Sequence, residues 1–359
     1  MKNLRNGRGL IPAVLLAASA TAAAALVGGA AGIDPAQASA APTHKAHSHE
    51  ARFERARLKH GLLTVGGTNG SDSIALRLAA DDPNVIQIDL NDDGSAEASF
   101  DRSAVTRIAV DAGRGDDRIL IDDSNGAFTN SIPTTIDGGD GDDTIAGGAG
   151  AETLLGGDGN DTIDGNGGSD EAFLGAGKDT FVWDPGDGSD TIEGQSGTDT
   201  LLFNGANVAE NVDLSANGSR LRFFRTQANI TMDTAGVEQV IFNALAGADN
   251  VTVNDLTGTD VKNVSIDLGV GGVSDGQLDT VNVKGTDGND GIAVTGLVDF
   301  FTGSTDSVSV TGLAAQVDVL HPDSRDQLNI DTGAGNDTVD STGLAAGAIQ
   351  LLVNGLLRP

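Results

Sequence analysis

Gly138-Gly139-Asp140-Gly141-Asp142-Asp143-Thr144-Ile145-Ala146 is followed without a break by GGAGAETLL from Gly147 and GGDGNDTID from Gly156. A Gly, a carboxylate and a large apolar residue therefore return every nine residues. Less perfect windows continue the series from Gly165, Leu174, Pro185 and Gly194, and outlying copies start at Gly67, Ala112, Ala244, Gly285 and Thr332. Across all twelve, position four is Gly and position six is Asp, except for Glu152. Position eight is Ile, Leu, Val or Phe in every window but one, where Ala172 stands.

A position that is always Gly marks a turn with bare backbone, often at positive φ. The first six residues of a window are too rich in Gly and Asp to favour a strand, whereas the last three suit a short one with its central side chain inward. Turn and strand then alternate, and two windows make one circuit of a flattened coil. The position-six acids fall into two columns, with Asp143, Asp161 and Asp179 on one edge and Glu152, Asp170 and Asp190 on the other. Neighbouring coils lie about 4.8 Å apart, so such columns repel unless a cation intervenes. Carboxylates and turn carbonyls are hard oxygen donors, which favour Ca²⁺ over transition metals. Mg²⁺ demands a smaller, more regular shell.

These repeats resemble the repeats-in-toxin (RTX) family of calcium-binding proteins, most closely from Gly138 to Leu202. The resemblance implies an all-β fold, a parallel β-roll or β-solenoid of nonapeptide repeats, flanked by imperfect solenoid or sandwich-like segments. It also implies several bound Ca²⁺ ions. The implied ligands are Asp143, Asp161, Asp170, Asp179, Asp190 and Asp199, with carbonyls from Gly138, Asp140, Gly156 and Asp158. Glu152 occupies the same position with a longer arm, a departure from the family pattern. The outlying windows are expected to be turns without a complete site, because each stands alone in the sequence.

The chain of 359 residues has a formal net charge of −31, 3% aromatic residues, no Tyr and a single Trp183. That balance argues against nucleic acid as a partner and against one large globular core. Zero cysteines fits a protein stapled by ions instead of disulfides. Lys2, Arg5 and Arg8 precede an Ala-rich apolar run that closes on Ala38-Ser39-Ala40, the layout of a secretory signal peptide over residues 1–40. The expectation is a secreted or cell-surface protein with no membrane association once the signal is cleaved. RTX toxins commonly carry a C-terminal export signal instead, which weakens any carry-over of toxin activity.

Residues 41–60 read as a polar linker, with His44, His47 and His49 beside a basic cluster. Residues 61–136 read as an N-terminal β region, 137–203 as the roll and 204–359 as a C-terminal β region. Asp89-Leu90-Asn91-Asp92-Asp93-Gly94 matches the first half of an EF-hand loop, but its twelfth position is Phe100, so a hairpin on Asp93-Gly94 is expected. Glu97 or Asp101 would be the substitute ligand if an ion bound there.

No zinc-protease motif is present, since the second His required after His49-Glu50 falls at Phe53. Gly272-Val273-Ser274-Asp275-Gly276 matches a nucleophile elbow with His321 downstream, but it lacks the strand-turn-helix context. The reading is a non-enzymatic calcium-binding repeat protein with calcium-coupled folding and a structural or surface role. The alternatives are an adhesin with a cell-surface or matrix partner and a hydrolase with an unrecognised site.

Overall fold

The computed structural model describes residues 55–298 and 305–358, so the expected signal peptide and most of the linker lie outside the described residues. The chain winds as a coil between a fifteen-stranded and a fourteen-stranded sheet. In the central block, Thr134–Asp140, Glu152–Asp158, Glu171–Gly177 and Thr191–Gly197 lie side by side in the first sheet. Thr144–Ala146, Thr162–Asp164, Thr180–Trp183 and Thr200–Asn204 do so in the second. Pairing within both rows is parallel and in register.

The register stacks like on like. Ile119, Ile145, Ile163, Phe181, Leu201, Val240, Val264 and Val317 face one another in sequence along the second sheet, all buried. Ala172 breaks the apolar pattern in the sequence but keeps the inward place between Leu154 and Ile192. Each circuit thus contributes a thin layer of apolar side chains, and burial accumulates only by stacking circuits.

The turn-and-strand division expected from the glycines needs correction. Strands of the first sheet run on through the next window's opening residues, as in Glu152–Asp158, whereas those of the second span only three to five residues in this block. Gly157 pairs with Gly139 and Gly175, and all three have positive φ of 115°, 109° and 120°. A Cβ on Gly157 would lie 2.1 Å from the Gly139 carbonyl oxygen, so only glycine permits this extended stacking.

Outside the block the coil continues, interrupted by antiparallel insertions in place of a sandwich. Asp82–Asp89 and Ala98–Asp101 form one with Ser73–Ala79. Asn211–Asn217, Arg220–Arg225 and Ile230–Ala235 form a second, and Gly291–Val298, Thr305–Thr311 and Gln316–Leu320 a third. Ala56–Lys59, read as the end of the linker, is a strand antiparallel to Leu62–Thr68. Trp183 stacks on Phe203 with ring centroids 4.0 Å apart, and Phe223 from the second insertion packs on Phe203 at 4.4 Å.

Candidate metal centre

Each strand of the second sheet in the block is preceded by a position-six acid, so parallel register lines these acids along one edge. Oδ1 of each accepts the backbone N–H of the acid one circuit earlier. Asp117 donates to Asp143 at 2.7 Å, Asp143 to Asp161 at 2.8 Å, Asp161 to Asp179 at 2.8 Å and Asp179 to Asp199 at 3.0 Å. The opposite edge repeats the device, Glu152 donating to Asp170 at 2.7 Å and Asp170 to Asp190 at 2.9 Å. One carboxylate oxygen is thereby anchored and the other left to point into the turn.

That second oxygen is buried without a hydrogen-bond partner in Asp117, Asp143, Asp161, Asp170, Asp179 and Asp199, as is Oε1 of Glu152. A buried carboxylate oxygen without a donor carries a desolvation cost that a bound cation removes. The surroundings are shaped for one. A Cβ on Gly138 would lie 2.3 Å from Asp143 Oδ2 and 2.7 Å from the Gly156 carbonyl oxygen. On Gly156 it would meet Asp161 Oδ2 at 2.5 Å and the Leu174 carbonyl at 2.1 Å. Carboxylate and carbonyl oxygens thus converge where the glycine side chain is missing, an all-oxygen donor set suited to Ca²⁺.

Burial, reinforced by neighbouring carboxylates, raises these acids far above the usual range in the metal-free chain. Asp161 is pushed up to about 8 by desolvation and by the charges of Asp179 and Asp143. Asp143 and Asp199 rise to about 7 and Asp117 and Asp179 to about 6, with burial the largest cause in each. Asp170, Asp190 and Glu152 move the same way for the same reason.

The carbonyls of Asp140 and Asp158 accept the N–H groups of Gly115 and Gly141 at 2.7 and 2.6 Å, which leaves each a second lone pair. The Asp158 side chain is buried, whereas Asp140 is partly exposed beside Arg114 at 3.1 Å.

The expectation that outlying windows stand alone is overturned. Asp72 donates to Asp117 Oδ1 at 2.6 Å, and Asp290 to Asp337 at 3.0 Å. Asp249 stacks between Glu210 and Asp279 at 2.7 and 2.8 Å, and Asp279 donates to Asp326 at 3.0 Å. Glu238 extends the first edge by accepting from Asp199 at 2.9 Å. Glu210, Glu238, Asp279 and Asp326 belong to no recognisable nonapeptide. Their signal is simpler: each immediately precedes a strand whose second and fourth residues are buried and apolar, such as Thr280–Lys284.

Two other sequence candidates resolve differently. Asp89, Asp93 and Glu97 do converge, their ligand atoms within 4.8 Å of one another, whereas Asp101 caps a short 3-10 turn through Ser103. Burial works to raise the Asp89 pKa, but Arg77 at 2.9 Å and three backbone N–H groups hold it below the usual value. Ser274 Oγ donates to Asp323 at 3.2 Å, while His321 Nδ1 pairs with Asp267 at 2.8 Å. Among the described residues no hydrogen bond joins Ser274 to His321, and Ser274 sits in a tight turn bridged to Gly269 instead of an elbow.

The fold and its acid columns define a parallel β-roll with buried carboxylate and carbonyl oxygens converging in its turns. The family model of the RTX calcium-binding nonapeptide repeat matches in four copies over residues 135–151, 146–181 and 186–207, so this stretch of the chain carries RTX-type repeats. Comparison with curated proteins gives no match.

Proposed function

We propose that this calcium-binding repeat protein works outside the cytoplasm, where calcium drives its coil to fold. The observation that carries the reading is the row of buried, partnerless Oδ2 atoms from Asp117 to Asp199. In the metal-free chain these carboxylates oppose one another. Calcium bound between coils offsets their repulsion and favours the stacked state by mass action. Extracellular calcium modules work at dissociation constants of about 10⁻⁴ to 10⁻³ M, so cytosolic calcium would leave such a chain unfolded until export. The basic, Ala-rich N-terminus supports that route, and a role as structural or surface material follows from a rod-like coil.

Calcium titration of the full chain, followed by circular dichroism with Mg²⁺ as control, tests the reading. A coil-to-β transition with Ca²⁺ and none with Mg²⁺ is expected. A β spectrum indifferent to chelator, with no calcium bound, would overturn it.

A further inference from the structure

Four carboxylate columns begin among the described residues, and their starts are not alike; that of Asp290, which runs on to Asp337, is closed by the N–H and hydroxyl of Thr286 at 2.7 and 3.0 Å. At Asp72 the first edge is closed by Arg55, whose Nη2 lies 2.6 Å from Oδ1. At Glu210 the later column of the second edge is closed by the buried Arg225 guanidinium. At Glu152 no arginine or lysine is present: among the described residues, no ion pair involves Glu152 or its neighbour Asp123.

The residue opposite Glu152 in the preceding circuit is Thr134, so no position-six acid lies beneath it. The chain before Thr134 instead carries Asp123 under the turn. Gly148 donates its N–H to Glu152 Oε2 at 2.8 Å, and a Cβ on Gly148 would come 3.4 Å from Asp123 Oδ2, so both carboxylates lie against the same residue. Glu152 is 2% exposed and its Oε1 is without a partner, and Asp123 Oδ1 is likewise buried and unpartnered. The buried Thr129 hydroxyl hydrogen-bonds the Glu152 carboxylate and accepts the Gly150 N–H at 3.1 Å, and the Ala149 N–H donates to the Asp123 carboxylate, so each acid keeps one oxygen for a cation.

We propose that Asp123 and Glu152 hold a divalent hard cation, Ca²⁺, at the start of the second edge, in a site half built from a loop that no repeat supplies. The inference rests on the reading that the columns take calcium. It accounts for the one Glu among twelve position-six acids. With no acid in the circuit below, the extra methylene carries the carboxylate toward Asp123, and the cation takes the part that Arg55 and Arg225 play at Asp72 and Glu210.

The test counts calcium bound to the full chain by equilibrium dialysis, with circular dichroism at saturating calcium as the check on folding. Asp123→Asn is expected to bind one ion fewer than the unsubstituted chain, Glu152→Asp likewise, while Asp122→Asn binds the full number. Asp123→Lys supplies a built-in cation, and should fold at the same or lower calcium concentration with one ion fewer. An unchanged ion count in Asp123→Asn, or a higher calcium requirement in Asp123→Lys, would overturn the site while leaving the columns intact. An unsubstituted chain that binds no calcium would remove the reading of the columns themselves.

Discussion

The guanidinium of Arg225 is buried against the carboxylate of Glu210 and stands 5.3 Å from the centre of the Trp183 ring. It lies where the second-edge column restarts after an antiparallel insertion, and it supplies by side chain the positive charge that calcium is inferred to supply elsewhere. Removing it leaves the buried Glu210 carboxylate without its partner. Arg225→Met is expected to cost about 3–5 kcal/mol of stability, the usual penalty for breaking a buried pair on one side. Denaturant unfolding at saturating calcium would measure it, with Trp183 fluorescence as a local probe; a loss below about 1 kcal/mol would contradict the assignment.

Asp161→Asn keeps an oxygen to accept the Asp143 N–H but lowers the negative charge aimed at the Gly156 turn. Calcium affinity of the central sites should fall by roughly tenfold or more, on the order of 1.4 kcal/mol. Isothermal titration would show this. Equal affinity in the variant would mean that Asp161 is not a ligand.

The raised carboxylates fix the sign of the pH response. Between the unfolded value of 3.8 and folded values near 7 to 8 for Asp143, Asp199 and Asp161, the folded metal-free chain holds protons that the unfolded chain has released. Their contribution is fully present below the unfolded value and is lost as pH rises through the folded ones. The chelated chain should therefore show more β structure by circular dichroism at pH 5 than at pH 8. Calcium must displace these protons, so its apparent affinity should rise over the same interval. A metal-free chain that gains stability toward pH 8 would show that burial does not raise these groups.

Gly157→Ala forces a Cβ to within 2.1 Å of the Gly139 carbonyl at φ of 115°, and nothing in the stacked circuits can yield. Calcium-driven folding of the roll should be lost or shifted to much higher calcium. Gly70→Ala, where a Cβ meets nothing within 4 Å, should fold normally. Comparing the two by circular dichroism separates steric stacking from a general dislike of substituted turns.

The nine-residue period alone determined the all-β coil, the inward apolar column and the division of Asp143, Asp161 and Asp179 from Glu152, Asp170 and Asp190. These are local consequences of turn chemistry and of strand alternation, repeated at constant spacing. What only the tertiary structure decided is which distant acids join the columns. Asp117 and Asp143 are 26 residues apart because a loop with a 3-10 turn at Asp123–Asn125 lengthens that circuit, whereas Glu210 and Asp249 are 39 apart and Asp279 and Asp326 47 because antiparallel strands are inserted. Pairing across such gaps depends on how the insertions pack and on the register of parallel strands, neither of which is encoded in a local window. The same holds for the column starts at Asp72, Glu210 and Glu152. Arg55, Arg225 and Asp123 carry no repeat signature, and their places beside Asp72, Glu210 and Glu152 follow from the electrostatic need to close a row of buried charges.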